Sequence, residues 1–271
     1  MKDMKDMKDM KDMKDMKDII FYHRAYRKVS IAGKKIFFEF WFLTLPILIV
    51  IFSLYPEITF LMNRFARYAL LSSFPSADIR ILEKPYMFSK VYILDLSGRH
   101  PSPMLSFSLF LFSLLSILLV TKTRVSKPIA AWFIFVSSIN LISSVFFILT
   151  PSIFPYDIGN FSEFYVKTEV SIWFFVPIVM GITLLLLPSN ILSRLFVTVI
   201  TLLYSVIFGI LRYTVFLYIL KQFSYLFMPL LFFAFGPLMD FTYMVGIYSL
   251  YSSVIAKEKN NRSEIGLWKW S

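Results

Sequence analysis

The chain contains no cysteine and only two histidines, His23 and His100, in 271 residues. Without cysteine there are no disulfides, thiolate nucleophiles, iron–sulfur clusters or cysteine-type zinc sites. The histidines are expected on opposite sides of a membrane, so no histidine-rich metal site and no cofactor is expected. Charge is also scarce: Asp, Glu, Lys and Arg make up 17% of the chain, against about 25% in soluble domains. GxSxG, HExxH, Walker A and GxGxxG signatures in supporting context are absent, which leaves no catalytic residue to nominate. Nor is there an internal repeat of the kind that marks the inverted halves of a transporter.

What is present is apolar and aromatic: 58% hydrophobic residues, 31 Phe, and a mean hydropathy of +0.69. The apolar residues fall in uninterrupted runs. A hydrocarbon core about 30 Å thick needs about 20 helical residues, and six runs are long enough. The sequence predicts spans over about 36–55, 104–121, 128–150, 170–187, 195–220 and 223–256, the last broken at Gly236-Pro237. The expected fold is therefore all-α, a polytopic transmembrane helical bundle. A small extracytoplasmic segment, 56–103, separates spans one and two. There, Phe60, Leu61, Phe65, Tyr68, Ala69 and Leu71 recur at roughly helical spacing and suggest an interfacial amphipathic helix. Ile79–Ile81 and Val91–Leu96 look extended, with Pro85 between them, and suggest a hairpin.

Residues 1–18 are six copies of Met-Lys-Asp, a low-complexity segment outside the fold and expected to be disordered. Residues 19–35 form a basic juxtamembrane tail, and 257–271 a second cytoplasmic tail. The basic loop Lys122–Lys127 and the loop Pro188–Arg194 fall on the same side as these tails in a six-span topology. By the positive-inside rule both termini face the cytoplasm, as expected of a multi-pass protein of a cytoplasmic (inner) membrane. The net charge of +11 is then explained by anionic lipid headgroups. No nucleic-acid partner is expected, because no basic stripe belongs to a soluble module.

Ionisable groups inside a span cost about 2.5–3.5 kcal/mol at its centre and invite functional readings. Glu39 is explained by an i, i+4 pair with Lys35. Arg212 sits eight residues before the expected outer end of span five. It either snorkels to the headgroups or lines a polar pocket that holds a carboxylate or phosphate. Asp240 follows the Gly236-Pro237 break at similar depth. The two residues serve equally as a helix-locking pair or as a binding site, with Lys221 a second partner for Asp240. The pair reading expects alanine at either position to lower folded yield alike.

Residues 165–256 resemble the membrane core of the exosortase/archaeosortase family, polytopic proteins that act on C-terminal sorting tails outside the cytoplasm. Phe208-Gly-Ile-Leu-Arg212-Tyr is similar to the family's arginine motif. Pro237–Tyr243 matches the placement of its histidine region, and Glu169-Val-Ser171 that of its cysteine. The cysteine, the histidine and the asparagine before the arginine are all missing here, and Ser171 has no visible base to activate it. The resemblance therefore implies a non-catalytic relative that handles an envelope polymer or sorting tail, or serves another membrane subunit, with Arg212, Asp240 and Glu169 as binding residues. A membrane-embedded transpeptidase or hydrolase using the same three residues, and a small transporter, are the alternatives.

Overall fold

A computed structural model describes residues 33–123, 125–187 and 189–261. The Met-Lys-Asp repeat, the basic tail through residue 32, Arg124, Pro188, the residues from 262 onward and the expected Glu39–Lys35 pair lie outside what it describes. Contacts divide the chain into residues 1–39 and 40–271. The described part of the first unit is the opening of helix α1, and the architecture below is that of the second.

Among the described residues, seven α-helices and one two-stranded sheet follow in order: α1 (Gly33–Ser73), β1 (Ile79–Tyr86), β2 (Ser89–Leu96), α2 (Pro103–Lys122), α3 (Lys127–Leu149), α4 (Ile158–Leu185), α5 (Ile191–Gln222), α6 (Met228–Phe233) and α7 (Pro237–Asn261). Six of these described segments are long and apolar enough to cross a membrane, the last combining α6 and α7 as Tyr225–Ile255. The all-α bundle with one small sheet is therefore what the chain adopts.

Local chemistry starts several of these helices. Ser102 caps α2 by accepting from the Leu105 amide at 3.2 Å, with Pro103 in the first turn, where its missing N–H costs nothing. Asp157 caps α4 by accepting from the Asn160 amide at 2.7 Å. Because of that cap α4 begins at Ile158 rather than near residue 170, so most of the expected loop 151–169 is helix.

Pro56 does not end the first helix. α1 continues through it for 17 residues to Ser73, although an interior proline costs about 3 kcal/mol. Packing offsets this: Tyr55, Thr59, Met62, Asn63, Ala66 and Leu70 form one fully buried stripe at helical spacing. Leu61, Phe65 and Tyr68 of the apolar face read from the sequence are exposed on the opposite side. The core-facing stripe contains Thr59 and Asn63, which apolar periodicity passes over.

The hairpin forms as expected, except that Pro85 lies within β1 and the turn is Met87-Phe88. Met87 adopts φ +52°, a conformation that normally favours glycine. In β2, Val91, Ile93, Leu94 and Leu96 are sealed, while Tyr92 and Asp95 are half-buried. One edge of β2 pairs with β1 in antiparallel register, Ile79 opposite Leu96 and Tyr86 opposite Ser89. Its other edge would be left with unpaired amides and carbonyls, and side chains from three helices close it. Asn63 Nδ2 donates to the Tyr92 carbonyl at 2.6 Å. The Leu94 amide donates to Ser162 Oγ at 3.0 Å and to Tyr213 Oη at 3.2 Å. Tyr213 donates to Asn63 Oδ1 at 2.8 Å and is hydrogen-bonded to Ser162. Tyr225 anchors the open end, accepting from the Gly98 amide at 3.2 Å while its own amide donates to the Arg99 carbonyl.

Candidate functional site

The middle of the α4–α5–α7 contact is polar. Arg212 projects from α5 ten residues before its end, about 15 Å along the axis. Glu169 projects from α4 eleven residues after its start, at matching depth. Asp240 is the fourth residue of α7, which the break at 234–236 starts at this level. A carboxylate in the first turn of a helix is favoured by the N-terminal dipole. All three side chains are at least nine-tenths buried.

The guanidinium of Arg212 has five N–H donors, and each has an acceptor. Nε donates to Tyr165 Oη at 2.8 Å. Nη1 donates to the carbonyls of Phe235 at 3.2 Å and Gly236 at 2.9 Å. Nη2 donates to Glu169 Oε1 and, at 2.8 Å, to Asp240 Oδ2. The Phe208 ring lies 5.2 Å from Cζ, close enough for a cation–π contact. Arg212 is thus a saturated clasp joining α4, α5 and both sides of the α6–α7 break. It neither snorkels to a surface nor leaves a fork for an anionic ligand.

Two glycines permit this geometry. A Cβ on Gly209 would stand 2.7 Å from Glu169 Oε2, and one on Gly236 would stand 2.1 Å from the Phe232 carbonyl oxygen. Tyr165 accepts from Arg212 and donates to the Gly209 carbonyl at 3.1 Å, so its hydroxyl bridges α4 and α5.

The charges do not balance within the clasp: one guanidinium faces two carboxylates. The second oxygen of each carboxylate, Glu169 Oε2 and Asp240 Oδ1, has no hydrogen-bond partner, and neither do the hydroxyls of Ser205 and Tyr243. A buried uncompensated charge costs several kcal/mol even after relaxation. What remains unsatisfied around Arg212 is therefore negative and oxygen-rich.

The sequence-derived candidates divide cleanly. Glu169, Arg212 and Asp240 converge. Lys221 does not join Asp240: its ammonium donates to the Ser97 carbonyl at 2.6 Å. Ser171 lies two residues past Glu169, about 200° around the helix, and is exposed. It donates to the Lys167 carbonyl at 2.9 Å and is hydrogen-bonded to Tyr86 Oη at 2.6 Å. Among the described residues no general base stands beside it. His100 is exposed, with its ring edge-on to Tyr225. Among the described residues no group of three or more His, Cys, Asp or Glu gathers as a metal site. Tyr165, the Phe235 and Gly236 carbonyls, and the Asn63–Ser162–Tyr213 network under the hairpin are contributions that composition and periodicity did not single out. A signal for the first was available: Tyr165 precedes Glu169 by one helical turn and so shares its face.

No family model matches this chain, and neither does any curated protein or solved structure.

Proposed function

We propose that this chain is a non-enzymatic multi-pass protein of a cytoplasmic (inner) membrane, with both termini in the cytoplasm. In this reading the bundle holds a rigid hairpin layer, formed by the outer part of α1, β1, β2 and the first turns of α4, on the far side of the membrane. That layer receives a partner: an envelope polymer, a sorting tail or another membrane subunit. The exosortase-like relationship enters as part of the same proposal, as that of a relative without the family's chemistry.

The observation that carries the non-enzymatic reading is the saturation of Arg212. An acyl- or phosphoryl-transfer site needs free donors aimed at a developing negative charge, and the guanidinium has none left. Ser171, the one nucleophile suggested by placement, has no base and faces away from the cluster. A transpeptidase or hydrolase built on Glu169, Arg212 and Asp240 would have to dismantle the clasp at each turnover. The transporter alternative draws support from one feature, the break before α7 with two backbone carbonyls turned onto a buried charge.

Two experiments test the proposal. A reporter active only outside the cytoplasm is silent when fused after Ser271, and the cysteine-free background lets Phe88→Cys be labelled by an impermeant maleimide from outside. A bright reporter, or Phe88→Cys labelled only from inside, defeats the topology. In a deletion strain of the native host, Ser171→Ala restores the lost phenotype fully; failure to restore it despite normal membrane levels favours the enzyme reading.

A further inference from the structure

The two carboxylates of the clasp pose a question that helix locking does not answer. One acid would neutralise Arg212, yet two share its Nη2 atom. Two oxygens accepting from the two hydrogens of one nitrogen stand within roughly 5 Å of each other. Each of these carboxylates keeps its other oxygen buried and unpartnered. Among the described residues, the titratable groups facing that pair from the packed helices are Tyr165 on α4, Arg212 on α5 and Tyr243 on α7, and of these Arg212 alone is a cation.

A second observation points the same way. Ser205 is wholly buried on the same face of α5, four residues before Gly209, and its hydroxyl has no partner. Tyr243, one turn beyond Asp240 on α7, lies beside both Ser205 and Asp240 and interacts with each, yet its hydroxyl makes no hydrogen bond of full geometry. Four unpartnered oxygens from three helices therefore surround a region one positive charge short of neutrality. The guanidinium has no donor left for an anion, so the deficit is open only to a positive charge. A divalent ion would overshoot and would lie against the guanidinium, whereas a single charge balances the site.

We propose that the Glu169–Asp240 pair is a proton-binding site, holding one proton on its unpartnered oxygens, with Ser205 and Tyr243 as the hydroxyls through which that proton exchanges. Binding is a simple equilibrium: a proton from water forms an O–H bond on Glu169 Oε2 or Asp240 Oδ1, and no other bond changes. The inference is independent of what docks on the hairpin, and a partner-binding protein and a carrier would both contain the site.

The test is infrared spectroscopy of the purified full-length chain in detergent at neutral pH, in H2O and in D2O. The carbonyl stretch of a neutral carboxylic acid, shifting on deuteration, is expected in the wild type. It is lost or cut at least twofold in Glu169→Gln and in Asp240→Asn, and its D2O exchange slows severalfold in Ser205→Ala and in Tyr243→Phe. Absence of the band from the wild type overturns the proposal whatever the variants do, and so does a band that persists unchanged in both acid variants. A sodium control separates the other small cation. If replacing sodium by choline at fixed pH lowers the melting temperature of the wild type but not of Glu169→Gln, the site binds sodium and the proton assignment is wrong.

Discussion

Arg212 donates to Asp240 across 2.8 Å between helices α5 and α7, and the same nitrogen also donates to Glu169 on α4. The consequences of breaking this contact depend on which partner is removed. Arg212→Ala strands two buried carboxylates and should cost about 3–5 kcal/mol. Asp240→Asn leaves a neutral Arg212–Glu169 pair and should cost less than half as much. Unfolding in mixed detergent with SDS, with folded yield as a second readout, measures both. Equal losses would mean that the two acids are not sharing one cation. Like effects of the two substitutions are what an isolated Arg212–Asp240 pair would give; the triad predicts unequal ones.

Gly236→Ala should be among the most damaging small substitutions in the chain. Its Cβ would meet the Phe232 backbone oxygen at 2.1 Å, and the backbone must move to relieve it, by a mechanism costing about 1–3 kcal/mol. That movement also displaces the Gly236 carbonyl from Arg212. Gly246→Ala is the control: nothing lies within 4 Å of its Cβ, and alanine inside a helix is better than glycine by about 0.8–1.0 kcal/mol. The two melting temperatures should therefore move in opposite directions.

Gly209→Ala tests whether the Glu169 carboxylate is held in place. The added methyl meets the end of a flexible side chain, which could swing away if it were loose. Anchored by Arg212, it cannot, and the substitution should destabilise. In the Glu169→Ala background the same change should cost far less. A double-mutant cycle with coupling below about 0.5 kcal/mol would show the two sites to be independent.

The hairpin depends on Asn63. Its amide satisfies the Tyr92 and Thr59 carbonyls and the Tyr213 hydroxyl together. Asn63→Ala leaves the Tyr92 carbonyl buried without its side-chain partner, at about 1–3 kcal/mol for the group orphaned, and takes one hydrogen bond each from the Thr59 carbonyl and the Tyr213 hydroxyl, which keep others. Cleavage by a protease at the exposed Met87-Phe88 turn should accelerate at least tenfold while the helices stay folded. An unchanged cleavage rate would mean that apolar packing alone seats the sheet.

Much of the fold is legible in the sequence, for a physical reason. Hydrocarbon demands continuous apolar helix, so the six runs and the Gly236-Pro237 break announce themselves in composition. Helix ends were less legible. α4 starts twelve residues before residue 170 because Asp157 caps it. Its first turns carry Glu163 and Lys167, which pair with each other, and Glu163 also pairs with Lys84 of the hairpin; polar residues of this kind read as loop. The outer part of α1 showed its helical period but not its buried face, because Thr59 and Asn63 face inward to close a sheet edge formed by residues about 30 positions away.

The candidate site divides along the same line. Charge inside an apolar run is a local property, and Arg212 and Asp240 stand out in the sequence alone. Their depth follows from counting residues to the helix ends. Whether they meet is set by helix packing, which depends on shape across three helices. Glu169 enters the sequence reading only through the family resemblance; its meeting with Arg212, the closing role of Tyr165 and the two backbone carbonyls, and with them the saturation of the guanidinium, exist only once α4, α5 and α7 are side by side. The sequence determined that this chain spans a membrane six times and that an arginine and an aspartate lie at one depth. Only the tertiary structure decided that the arginine is fully consumed and that the unsatisfied charge beside it is negative.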